Sequence, residues 1–185
     1  MKNVFLSLVS WVLIGSLAGV ATVAAAPREG ASEALISGGF FHAEGSDIGS
    51  LNLDLSYGVY LTPGWQLGFR QALNYNFIEG ASDQWIATTA PFVNYNFRAT
   101  DVVYPYLGAF IGAAWNDRDV TGTLGPQGGV KLYVHDQTFV NIGYRYEWFW
   151  SSFKRIDDES DNGNHVVNIG VGFTWGGAGS STRRP

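Results

Sequence analysis

Residues 50 to 61 place Leu51, Leu53, Leu55, Tyr57, Val59 and Leu61 at every second position, with Asn52, Asp54, Ser56, Gly58 and Tyr60 between them. A two-residue period is that of a β-strand whose two faces meet unlike surroundings, and no helix satisfies it. After the turn signal Thr62-Pro63-Gly64 the pattern restarts. Trp65, Leu67, Phe69, Leu73, Tyr75 and Phe77 fall on one side, and Gln66, Gly68, Arg70, Ala72, Asn74 and Asn76 on the other; Gln71 alone breaks the apolar side. Further alternating runs cover 84–97, 104–115, 123–134, 138–150 and 165–175, and a first strand is expected near 35–43. The expected fold is all-β: an eight-stranded antiparallel up-and-down transmembrane β-barrel.

The connections alternate too. Segments 62–64, 98–102 and 135–137 are short, whereas 44–49, 78–83, 116–122 and 151–164 are mostly longer and polar. Bacterial membrane barrels have this asymmetry, with tight periplasmic turns and longer outside loops. Met1-Lys2, an apolar stretch to about Val23 and then Ala24-Ala25-Ala26 form the layout of a secretory signal peptide. Residues 1–25 are therefore expected to be removed; the alternative is a retained membrane anchor. Residues 26–33 are read as a lead-in, 34–175 as the barrel, and 176–185 as a flexible Gly/Ser-rich periplasmic tail. Beyond residue 26 no apolar run is long enough for a membrane helix, so insertion has to use strands.

Period two does not say whether the apolar face is a core or a lipid-facing wall, and residue type decides that. Of seven tryptophans, Trp11 falls in the leader; Trp65, Trp85, Trp115, Trp148, Trp150 and Trp175 all take the apolar parity near strand ends. Packed into a small barrel such rings would crowd, and each buried indole N–H would need a partner. At the lipid–water boundaries they form aromatic girdles. Trp65, Phe97 and Trp175 are assigned to the periplasmic girdle, and Phe77, Trp85, Trp115, Trp148 and Trp150 to the outer one.

The opposite parity carries Asp54, Arg70, Lys131, Arg145 and Glu147 beside many glycines. An eight-stranded barrel is only wide enough for side chains to fill. These five charges are expected to pair as a plug, with glycines making room for the long Arg, Lys and Glu chains. Lumen charges also line ion pathways, so a gated channel for ions or small solutes stays open.

NLDLSYGVYLTPGWQLGF (52–69), YPYLGAFIGAAW (104–115) and GVKLYVHDQTFVNIGYRYE (129–147) resemble the small outer-membrane β-barrel family that includes OmpX and the membrane domain of OmpA. The resemblance covers almost all of the chain after the leader. It implies a bacterial outer-membrane location, contact with outer-membrane lipid and lipopolysaccharide, and a structural or surface role. Asn168, Gly170, Phe173 and Trp175 resemble the terminal signal recognised by the barrel assembly machinery, although here residues follow the terminal aromatic. No peptidoglycan-binding domain follows the barrel in this sequence, so that role is not implied.

Other chemistries find less support. Cysteine is absent and the net charge is -5 with no basic run beyond Arg183-Arg184, so neither thiol chemistry nor nucleic-acid binding is expected. No cofactor is expected, and a monomer is. Some barrels of this size modify lipid A, but His42 and His165 lack the His-x-Ser arrangement of the outer-membrane deacylases, and His135 falls in a tight turn. The chain is therefore read as no enzyme, with a lipid A-modifying barrel as an alternative. The acidic run Asp157, Asp158, Glu159 and Asp161 fails the EF-hand spacing, because Ile169 stands where the bidentate Glu is needed. A soluble lipocalin-type binder remains the alternative to a membrane protein.

Overall fold

The computed structural model describes residues 27–42, 48–78, 84–117, 120–150 and 163–177. The leader, the acidic loop and most of the tail lie outside them. Eight strands follow one another: β1 (Ala31–His42), β2 (Ile48–Tyr60), β3 (Trp65–Ile78), β4 (Gln84–Asn96), β5 (Val103–Trp115), β6 (Val120–Tyr133), β7 (Thr138–Trp150) and β8 (Gly163–Gly176). Each pairs antiparallel with its neighbour in sequence, and β8 returns to β1, closing the barrel. Closure gives every strand a partner on both sides, which a sheet immersed in hydrocarbon requires.

The three tight connections are built from local hydrogen bonds. In the first, Leu61 N–H donates to Trp65 O at 2.8 Å and Trp65 N–H to the Thr62 hydroxyl at 3.0 Å. In the second, Ala99 N–H donates to Val103 O and Val103 N–H to the Thr100 hydroxyl. In the third, Val134 N–H donates to Thr138 O at 3.0 Å. Both β1 and β8 have their outer termini at this same end, where Ala31 pairs with Gly176.

Strand alternation places even-numbered residues of β2, β3, β4, β5 and β8 inside, and odd-numbered residues of β1, β6 and β7 inside. Outside, Leu55, Leu67, Phe69, Leu107, Ile111, Ile142, Ile169 and Phe173 are 48–64% exposed. Pro91 and Pro126 also sit at outward positions. The pairing of β4 with β5 skips the rung at Pro91, and that of β6 with β7 the rung at Pro126. Proline has no N–H to give the ladder.

Several strand limits differ from the sequence-based expectation. β6 starts at Val120 instead of Thr123, and β8 runs from Gly163 to Gly176 instead of from 165 to 175. The largest correction is at β1, which begins at Ala31 and not near Leu35, taking three residues from the expected lead-in. Ser32 and Glu33 look like a polar approach segment in one dimension. Closure gives them two partners: Glu33 pairs with Gly58 of β2 and with Thr174 of β8.

Candidate functional site: an ionised lumen

All five predicted lumen charges point inward and are at most 5% exposed. They do not form one cluster. Two layers stack along the barrel, joined by amides.

The layer nearer the tight turns is centred on Lys131, two residues before the end of β6. Its ammonium lies 2.8 Å from both carboxylate oxygens of Glu33 and donates to the Tyr60 hydroxyl at 2.9 Å and to Gln66 Oε1 at 3.2 Å. The Tyr60 hydroxyl and the Gln66 amide donate to Glu33 in turn, at 2.7 and 2.8 Å. The rings of Tyr60, Tyr106 and Phe139 surround the ammonium at 5.3–5.5 Å from their centroids. Cation–π attraction strengthens when the cation is desolvated, as here. Below this layer Tyr104, Tyr133 and Phe139 pack against Leu35 and Val102 as an aromatic floor.

Glu33 is the residue the sequence reading missed. With Asp54, Arg70, Lys131, Arg145 and Glu147 alone the interior would carry one excess positive charge; Glu33 makes three of each sign. An ion left uncompensated at such burial costs roughly 3–5 kcal/mol. The imbalance of the five was a usable signal, since it demanded another acid on an inward parity.

The second layer lies deeper, around Arg145 of β7. Its Nη1 donates to Asp54 Oδ2 at 2.9 Å and its Nε to Glu147 Oε1 at 2.6 Å, so one guanidinium bridges both acids. Arg70 stands 3.7 Å from Asp54, donates to Gln127 Oε1 at 2.8 Å and stacks on Phe110 at 4.4 Å. Gln127 passes the chain to Asn94, and Asn94 to Gln66 of the first layer. Packing is looser here: Arg70 Nε and Nη2 and Arg145 Nη2 are buried without a protein hydrogen-bond partner. They flank a cavity of about 40 Å³, a size that admits water.

The glycines serve other side chains than expected. A Cβ on Gly172 would stand 2.1 Å from the Phe139 ring, and one on Gly129 2.8 Å from the Tyr106 hydroxyl. The room is taken by rings at Gly68, Gly129 and Gly172 and by the amides of Gln66 and Asn94 at Gly58 and Gly108, not by the Arg, Lys and Glu chains themselves.

The outward aromatics fall at both ends. Trp65, Phe97 and Trp175 are 44–48% exposed at the tight-turn end, and Phe77 and Trp115 are 43% and 39% exposed at the other. Trp85 packs edge-on against Trp115 at 5.6 Å and donates to Asp117, while Trp148 packs on Tyr146 at 4.8 Å. Trp150 departs from its girdle assignment. It keeps the outward parity but is only 5% exposed, because its indole lies over Gly122, its partner on β6, which has no side chain to hold it off. In β8, Phe173 and Trp175 face outward, while Asn168 and Gly170 face the lumen.

His165 accepts or donates a 2.7 Å bond with the Tyr144 hydroxyl on the outer wall. His135 stands in a tight turn at the opposite end, and the side chain of His42 is outside the described residues.

An apolar exterior around an ionised interior reverses the layout of a soluble barrel and defines a transmembrane β-barrel. This overturns the lipocalin-type alternative, in which the apolar parity would face inward. Solved structures bear out the class. Neisserial surface protein A shares the fold with a TM-score of 0.52 at 16% identity, over 78% of this chain and 93% of that one. Ail of Yersinia pestis, solved in a phospholipid bilayer nanodisc, gives 0.51 at 16% identity, over 80% and 100%. The outer membrane protein OprG of Pseudomonas aeruginosa gives 0.51 at 14% identity, over 82% and 98%. The fold is that of the small eight-stranded outer-membrane barrels. No family model matches the sequence, and no curated protein matches it.

Proposed function

We propose that the protein is a non-enzymatic barrel of the bacterial outer membrane with a structural and surface role, its interior closed by the charged side chains and its longer connections exposed outside. The carrying observation is the charge-balanced lumen network. Glu33 and Lys131 tie β1 to β6, Asp54 and Arg145 tie β2 to β7, and the Arg70–Gln127–Asn94–Gln66 chain crosses between the layers. Such cross-ties hold a barrel's shape and support the reading of a closed lumen.

The export reading places residues 1–25 as a leader. The inward Asn168 and Gly170 with the outward Phe173 and Trp175 support recognition of β8 by the barrel assembly machinery. The exposed aromatics support contact with outer-membrane lipid and lipopolysaccharide by a monomer. His135 and His165 stand at opposite ends of the barrel, which supports the non-enzymatic reading.

Conductance across planar bilayers tests the closed lumen. The purified chain is expected to give no steady openings; openings abolished by Arg145→Leu would establish the gated channel instead. Brominated lipids test the membrane reading, since they are expected to quench the exposed Trp65 and Trp175.

A further inference from the structure

The cavity at the opposite end of the lumen from the aromatic floor lies above both ion layers and touches the second at Glu147, and its chemistry is specific. It measures about 170 Å³ and lies where β2, β3, β4, β7 and β8 approach the longer connections. An engineered cavity of about 150 Å³ accepts a benzene molecule, so this one has room for a six-membered ring. Its polar lining includes Asn52, Asn74, Asn76, Asn164, Thr88 and Glu147.

Two of these groups are left without partners. Thr88 is 1% exposed, yet its hydroxyl has no hydrogen-bond partner in the protein. The Asn52 amide nitrogen donates to Asn74 Oδ1, and its own Oδ1 is buried with no donor. Burying a hydroxyl or amide without a partner costs free energy. A ligand that supplies both a donor and an acceptor recovers it.

Charge decides the ligand class. Glu147 is met by Arg145, and Asp54 by Arg145 and Arg70, so this layer is already neutral. A cation or an anion placed above it would stand unpaired. A neutral molecule rich in hydroxyls would not, and asparagine amides suit it because each offers donors and an acceptor to neighbouring hydroxyls. Ile86 and Phe149 supply apolar wall between the amides, matching the C–H faces of such a ring.

We infer that this vestibule is a binding site for a neutral polyhydroxylated ring of monosaccharide size, free or at the end of a glycan. The unpartnered Thr88 hydroxyl and Asn52 carbonyl take its hydroxyl groups, and Phe149 and Ile86 take its apolar face.

Titration of the full chain in nanodiscs, followed by amide and side-chain NMR shifts, tests the site. The probes are glucose, galactose, N-acetylglucosamine and a core oligosaccharide released from lipopolysaccharide, with choline and acetate as charged comparisons. Saturable shifts at Asn52, Thr88 and Asn164 are expected with at least one neutral sugar. Binding of a monosaccharide identifies a free solute as sufficient, and binding of the oligosaccharide alone identifies a glycan terminus. Thr88→Val and Asn52→Leu are expected to weaken binding at least tenfold, and Thr88→Ser to retain it. Heat-modifiable gel migration confirms that each variant is folded. No saturable shift with any sugar, tighter binding of choline or acetate, or equal binding by wild type and Thr88→Val would each overturn the assignment.

Discussion

The two halves of the lumen solve the same problem differently. Near the tight turns the Lys131 ammonium, Glu33, Tyr60 and Gln66 are matched to one another, and rings pack around and below them. Towards the longer connections one arginine serves two acids, the Thr88 hydroxyl and the Asn52 carbonyl lack partners, and a cavity of about 170 Å³ opens. Small interiors have few ways to hold charge, and this one puts its ring-packed ion pair at one end and its larger cavity at the other. Stability should therefore be concentrated in the lower half, and adaptability in the upper.

The largest expected effect comes from splitting the fully matched pair. Glu33→Ala strands the Lys131 ammonium among three rings and should destabilise the barrel by about 3–5 kcal/mol, read from urea unfolding in lipid vesicles. Removing both charges together, as Glu33→Gln with Lys131→Met, should cost distinctly less than either charge removed alone. Equal or greater loss in the double variant would mean that the pair contributes net attraction and not mutual compensation.

Arg145→Leu ranks next. It abandons both Asp54 and Glu147, but Arg70 stands 3.7 Å from Asp54 and can close on it, and the cavity beside Glu147 admits water. The loss should fall toward the lower end of the same range, about 3 kcal/mol. A loss exceeding that of Glu33→Ala would reverse the ranking of the halves.

Much of this organisation was legible in the sequence, and particular residues show why some was not. Alternation from Leu51 to Leu61 and from Trp65 to Phe77 fixes both strands and faces, because lipid and lumen demand opposite residue types at adjacent positions. The same logic places Asp54, Arg70, Lys131, Arg145 and Glu147 inside. Glu33 escaped because strand β1 is short of large apolar residues at its start; its pairing depends on β8, some 140 residues away in sequence, and a local pattern carries no trace of that. The division of the charges into two layers follows from stagger between strands, which alternation also does not encode. Trp150 shows the reverse limit: parity was read correctly, but burial depended on a glycine across the ladder.

Glycine substitutions compare the halves more finely. A Cβ on Gly172 would meet three atoms of the Phe139 ring at 2.1–2.7 Å, and Phe139 is fully buried in the aromatic floor. Gly172→Ala should cost about 1–3 kcal/mol, the usual range for overpacking. Gly39, in the looser half, would bring its Cβ no closer than 3.9 Å to Val167 O, so Gly39→Ala should leave the unfolding midpoint nearly unchanged. Similar losses at both sites would show that the upper half is packed as tightly as the lower.

The smallest effect is expected outside the lumen. Arg98 and Asp101 form an ion pair at 2.5 Å in a tight turn, with side chains 64% and 75% exposed. Water and salt screen such a pair, and holding two mobile side chains in one geometry costs entropy that offsets the attraction. Asp101→Asn should therefore leave the urea midpoint unmoved, in low salt and high salt alike. It keeps a side chain of the same shape in the turn and removes only the charge. A salt-dependent loss would mean that the turn contributes electrostatically to closing the tight end, and the stability of that half could no longer be assigned to Lys131 and its rings alone.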